Sequence, residues 1–170
     1  MKRDRAIKLV SDMLGRLTSD GDGLLAMVDE VHVFGSFARG ALDPHDIDIA
    51  VECTPNPKQI NREVWYMTRG RSPYTDLRAA LTGRSRGLQI RFRELDSLHD
   101  DGIATTLVWR HGDSQTIGLE RLAAIQTDPA AGRAPRDAMH SAFESIDRSQ
   151  TARSAGLLLR RPTSRAEVWT

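Results

Sequence analysis

The sequence is poor in cysteine, lysine and aromatic residues, and it has no long apolar run. Cys53 is the only cysteine among 170 residues, so an intramolecular disulfide and a multi-cysteine zinc site are both excluded. A reducing, cytoplasmic setting is the natural expectation, and the lone thiol beside a predicted strand reads as a small buried apolar group. The start, Met1-Lys2-Arg3-Asp4-Arg5, leads into a segment interrupted by Lys8 and Asp12, with no apolar stretch long enough for a signal peptide or a membrane span. A soluble chain with no membrane partner is expected. The 24 basic and 23 acidic residues leave a formal charge of +1, which argues against a polycationic nucleic-acid binder and against an acidic disordered chain. Any nucleic-acid contact must come from a local patch. Among the basic residues only Lys2, Lys8 and Lys58 are lysine, an arginine skew that genomic base composition explains as readily as phosphate chemistry.

What is present suffices for one core, with 39% apolar residues in a chain of single-domain length. Ala6, Ile7, Leu9, Val10, Met13, Leu14 and Leu17 recur at steps of three and four, the stripe of an amphipathic helix. After the Gly21-Asp22-Gly23 break, Leu24 to Val28 reads as a helical turn and Val31 to Phe34 as a strand ending at Gly35-Ser36. His32 within it reads as structural. Ile47 to Glu52 is a second strand, on which Asp46 and Asp48 share one face and Ile47 and Ile49 the other. Pro55 and Pro57 open a helix whose buried side is predicted to be Ile60, Val64 and Met67, and Thr75 to Leu81 forms a shorter one. Leu88, Ile90 and Phe92 alternate with Gln89, Arg91 and Arg93 as a half-buried strand. Ile103 to Trp109 is a further strand, with Thr116 to Leu119 as its expected hairpin partner across His111-Gly112-Asp113. From Asp128 a small-residue linker leads to a weak helix near Arg136 to Arg148, then a tail with five arginines between Arg148 and Arg165 and the apolar triplet Leu157-Leu158-Leu159. A flexible tail or an oligomer contact accounts for it better than a nucleic-acid arm.

The chemistry lies in Val33-Phe34-Gly35-Ser36-Phe37-Ala38-Arg39-Gly40 and the following Asp43-Pro44-His45-Asp46-Ile47-Asp48. A Gly-Ser turn straight after a strand exposes backbone N–H groups and a hydroxyl where a phosphate can sit. Gly35 permits close approach, Arg39 adds charge one helical turn beyond Ser36, and Gly40 ends the short helix. Asp46 and Asp48 offer hard anionic oxygens to magnesium, which takes a few carboxylates with phosphate oxygens and water. Either feature alone is commonplace; together and in this order they point to metal-assisted phosphoryl or nucleotidyl chemistry.

From Val31 to Glu52 the chain closely resembles the nucleotidyltransferase superfamily that includes DNA polymerase β, above all its minimal branch, with weaker agreement to about Trp109. The resemblance implies triphosphate contacts at Gly35 and Ser36 and magnesium ligands at Asp46 and Asp48. It implies an α/β (α+β) fold with a small mixed sheet and helices mainly on one face; the change of composition at Asp128 sets the expected boundary, with the nucleotidyltransferase-like domain over 1–127 and linker, weak helix and arginine-rich tail over 128–170. Transfer-competent members place a third carboxylate on a later strand. Here the aligned position is Gln89, flanked on the same face by Arg91, and glutamine cannot act as a base at neutral pH. Three readings stay open: Glu94 or Asp96 supplies the acid through a bulge; one metal suffices with Arg91 or Arg93 stabilising the triphosphate; or catalysis is lost and binding kept.

The expected function is transfer of a nucleoside monophosphate from a triphosphate such as ATP to a hydroxyl, with magnesium as cofactor. The resemblance to the antitoxin half of toxin–antitoxin pairs points to a partner protein as acceptor. The rival expectation is a binding module that holds a protein partner, nucleotide or RNA without chemistry. His45, beside Asp46, reads as an exposed loop residue, His111 and His140 have no metal-triad spacing, and Trp109 and Phe92 read as core. No nucleophile-elbow serine and no Walker-type lysine is present, so serine-hydrolase and P-loop chemistries are set aside.

Overall fold

The apolar stripe near the start folds as helix α1, Arg3–Ser19, and it buries Ala6, Val10, Met13, Leu14 and Leu17. In the computed structural model the described residues are 1–19, 23–54 and 57–131. All described elements belong to the first of two units, Met1–Arg133; the second, Ala134–Thr170, with the helix and tail expected there, lies outside the described residues. A 3-10 turn, Leu24–Met27, leads into strand β1, Val28–Phe34, and the short helix α2, Gly35–Ala38, separates it from β2, Ile47–Cys53. Helices α3, Pro57–Met67, and α4, Thr75–Thr82, carry the chain to β3, Leu88–Phe92. Then follow α5, Leu95–Asp100, β4, Thr106–Arg110, and α6, Gln115–Ala123. No helix among the described residues is long and apolar enough to cross a membrane.

The four strands form one mixed sheet in the order β3-β2-β1-β4. β1 runs antiparallel to β2 and β4, whereas β2 and β3 are parallel, the pairing that requires a crossover such as α3 and α4. The register sorts residues onto two faces. Val31, Val33, Ile47, Ile49, Val51 and Ile90 point to a core closed by α1, α4, α6 and the 3-10 turn, and Cys53, Phe92 and Trp109 join it. The opposite face carries Glu30, His32, Phe34, Asp48, Ala50, Glu52, Gln89 and Arg91. Among the described elements α5 covers it, where Leu98 packs on Phe34 and Ala50 and Glu52 Oε1 accepts the Leu95 N–H at 2.9 Å.

Two sequence expectations are corrected. Ile60, Val64 and Met67 are not buried: with Trp65 they are 46%, 50%, 56% and 48% exposed on α3. The helical period was right, but spacing reports only that residues share a face, not that the face has a partner. The helix is tied down through the buried Gln59, the Tyr66 hydroxyl donating to Asp76 Oδ2 at 2.7 Å, and the Arg62–Asp76 ion pair. Arg69 lies 3.8 Å over the Trp65 ring. Thr116 to Leu119 is likewise helix rather than hairpin strand. The chain does turn after β4, where the Asp113 N–H donates to Arg110 O at 2.9 Å, but Ser114 Oγ then caps a helix by accepting from the Ile117 N–H at 3.3 Å. Gly118 lets this helix close on α1: a Cβ there would stand 2.9 Å from Leu14 Cδ1.

Candidate active site

Gly35 ends β1 in the left-handed region, at φ +70°, a conformation that strains any residue with a Cβ. The register sets Phe34 opposite Asp48, and Asp48 Oδ2 occupies the space a Gly35 side chain would fill. The glycine is therefore demanded twice, once by the turn into α2 and once by the carboxylate against it. Beyond it, the first-turn N–H groups of α2 have no partner within the helix, and Ser36 is half-buried. Arg39 closes α2 with its N–H donating to Gly35 O at 3.2 Å, and its side chain is exposed.

Helix α2 and the turn after it are clamped from outside the motif. Arg3, 8% exposed, donates from Nη1 to Phe37 O at 3.1 Å and to Ala41 O at 3.2 Å, and from Nη2 to Ile125 O at 3.2 Å. Its guanidinium also stacks 4.7 Å from the Phe37 ring, and burial lowers its pKa. Gly40, at φ +102°, lets the segment Gln126–Asp128 pass so close that a Cβ would stand 2.6 Å from Asp128 N. The Asp128 N–H donates to Gly40 O at 3.0 Å. Sequence reading missed both supports, because their partners are backbone groups distant in the chain and leave no side-chain pattern.

Asp46 and Asp48 are both half-buried at the start of β2. Burial and the neighbouring charge of Asp46 push the Asp48 carboxyl above the usual carboxylate range, against the pull of Arg91 and Arg39. Two close carboxylates of this kind fit a hard divalent cation, whose charge removes the conflict. Among the described residues no group of three or more His, Cys, Asp or Glu side chains is arranged to hold a metal, so phosphate oxygens and water would have to complete such a set. Magnesium is one of the hard cations that such oxygen donors suit.

Gln89 stands directly opposite Asp48 across the parallel β2–β3 pair, and it is the residue at which the family resemblance puts the third acid. Arg91 lies one rung on, opposite Ala50, with its guanidinium 5.6 Å from the Phe34 ring. Glu94, one of the alternatives for the missing carboxylate, does not stay on the far side. Arg93 adopts φ +56°, breaking strict alternation, and Glu94 Oε2 comes to 3.4 Å from Arg91 Nη1. Its partner is thus an arginine, one rung away from the Asp48–Gln89 row. Asp96, in the first turn of α5, and His45 are exposed.

The structure therefore gathers Gly35, Ser36, Asp46, Asp48 and Gln89 at one end of the sheet, with the charges of Arg39 and Arg91 bearing on Asp48. An open depression of about 470 Å³, lined among others by Leu25, Trp109 and Asp113, lies toward the other end of β1 and contains none of these residues. Comparison with known families finds that the nucleotidyltransferase domain profile matches residues 17–103, just over half of the chain. No curated protein and no solved structure matches significantly.

Proposed function

The chain belongs to the nucleotidyltransferase domain family, and from that premise we propose that it transfers a nucleoside monophosphate from a triphosphate such as ATP to a hydroxyl on a partner protein, as an antitoxin-type enzyme of the cytoplasm. The observation that carries this reading is the Asp48 carboxylate lodged against Gly35, beside Asp46 and at the N-terminal end of α2. In the reaction the acceptor oxygen bonds to the α-phosphorus, the α–β anhydride breaks, pyrophosphate leaves, and the hydroxyl proton passes to solvent water. Gly35 and Ser36 hold the β and γ phosphates through N–H groups and a hydroxyl, and Arg39 and Arg91 add positive charge near the phosphates. Asp46 and Asp48 would hold magnesium, which would supply neutralisation of the triphosphate charge when bound. Gln89 orients a water or a phosphate oxygen but takes no proton.

A second reading rests on the same Gln89: without a third carboxylate opposite Asp48, the domain binds a protein partner, a nucleotide or RNA and performs no transfer. The two are separated by incubating the protein with each α-labelled triphosphate, magnesium and cytosolic protein from its native cell. Transfer requires label on an acceptor protein together with pyrophosphate release, both lost in Asp46→Asn/Asp48→Asn. Triphosphate binding without pyrophosphate release contradicts the enzyme reading and leaves the binding module.

A further inference from the structure

The open face of the sheet carries a second polar cluster that the site above does not use. His32, 9% exposed, places Nε2 2.9 Å from Glu30 Oε2, and Arg110 Nε donates to the other Glu30 oxygen at 2.9 Å. The hydrogen bond from His32 and the nearby Arg110 hold the Glu30 carboxyl below its usual range. Because a carboxylate only accepts, Nε2 carries the hydrogen shared with Glu30, and Nδ1, on the other side of the ring, stands 3.5 Å from Thr105 Oγ1, where its lone pair accepts a proton whenever the ring is neutral. Thr105 Oγ1 also meets His99 Nε2 at 3.0 Å. Carboxylate, imidazole and hydroxyl in this order are the arrangement that activates an oxygen nucleophile.

Position gives the cluster its meaning. Thr106 pairs with Val33, so Thr105 lies beside Phe34, and Phe34 pairs on its other side with Asp48. Two strand spacings, about 10 Å, separate the Thr105 and Asp48 backbones, and through His32 and Asp48 both side chains belong to the open face. Both flank the point where β1 turns into the Gly35-Ser36 cradle.

We propose that Thr105 is an internal acceptor of the nucleotidyl group, activated by His32 and oriented by Glu30; this rests on the reading of Gly35, Ser36, Asp46 and Asp48 as the triphosphate site. Thr105 Oγ bonds to the α-phosphorus of a nucleoside triphosphate, its proton passes to His32 Nδ1, and the α–β anhydride breaks with departure of pyrophosphate. The product is a phosphodiester on the chain itself. The role that Gln89 cannot fill, that of proton acceptor, is thereby supplied from β1.

The test incubates the full chain with magnesium and each triphosphate in turn, reads intact mass and the modified peptide, and measures triphosphate binding by calorimetry on the same samples. The wild type gains one nucleoside monophosphate on the peptide containing Thr105. Thr105→Ser keeps the gain, Thr105→Val loses at least about tenfold of the rate while binding the triphosphate as before, and Glu30→Gln slows labelling without changing affinity. Triphosphate binding with no mass gain, or a gain undiminished in Thr105→Val, overturns the self-acceptor and leaves the nucleotide site standing. Absence of triphosphate binding overturns both.

Discussion

On the covered face of the sheet Val31, Val33, Ile49 and Val51 are fully buried, whereas on the open face Asp48 and Glu52 are half-buried and Gln89 and Arg91 exposed. The two sets alternate along the same strands, so Ile49 and Asp48 are chain neighbours with opposite surroundings. One face gains from the removal of apolar area from water, roughly 25 cal/mol per Å². The other holds charge partly out of water at a cost, and that cost is visible in the raised pKa of Asp48. Stability and ligand chemistry should therefore separate residue by residue.

The largest effect expected is Ile49→Ala, which leaves a cavity in a fully buried site and costs about 2–5 kcal/mol of unfolding free energy, read by denaturant titration. Triphosphate affinity of the protein that remains folded should change little. Gly35→Ala should blur the separation, because the left-handed backbone costs about 1–2 kcal/mol and the added methyl displaces Asp48. Thermal unfolding and magnesium-dependent triphosphate binding should both worsen. Gln89→Asp sharpens it in the opposite direction: a third carboxylate beside Asp48 should raise magnesium affinity about tenfold and lower stability without metal, measured by magnesium titration and thermal unfolding. Asp48→Asn tests the sign of the electrostatics. A carboxyl whose folded-state pKa is raised contributes stability at low pH that is lost as pH rises through that value. The variant's unfolding temperature should accordingly fall less between acid and neutral pH, and at neutral pH match or exceed the wild type without metal. Smallest of all is Val64→Ser on the exposed stripe of α3, expected within about 0.5 kcal/mol of the wild type by denaturant titration.

Much of this division was legible from residue order alone. Period two in Leu88 to Phe92 and around Asp46 to Asp48 fixed which side chains share a face, and register then placed Gln89 opposite Asp48. The turn at Gly35-Ser36 could be read because a strand-ending glycine and the following acid pair are local features. What escaped was set by partners far away in the chain. The stripe Ile60, Val64 and Met67 has helical spacing but no element over it among the described residues. Ser114 competes as a helix cap against the strand content of Thr116 to Leu119, and the cap wins because α6 can close on Leu14 through Gly118. Arg93 turns left-handed without being glycine, so Glu94 joins Arg91 instead of following strict alternation. Arg3 holds the carbonyls of Phe37, Ala41 and Ile125, and Thr105 meets His32, through contacts that no spacing rule anticipates.

The central claim is that the open face at Gly35, Asp46 and Asp48 is a magnesium-dependent triphosphate site. It is tested most directly by calorimetric titration of each nucleoside triphosphate, with and without magnesium, into the wild type and into Asp46→Asn/Asp48→Asn. Binding that requires magnesium and disappears in the doubly substituted, still folded protein is the expected result; binding that is absent from the wild type, or indifferent to both aspartates, contradicts it.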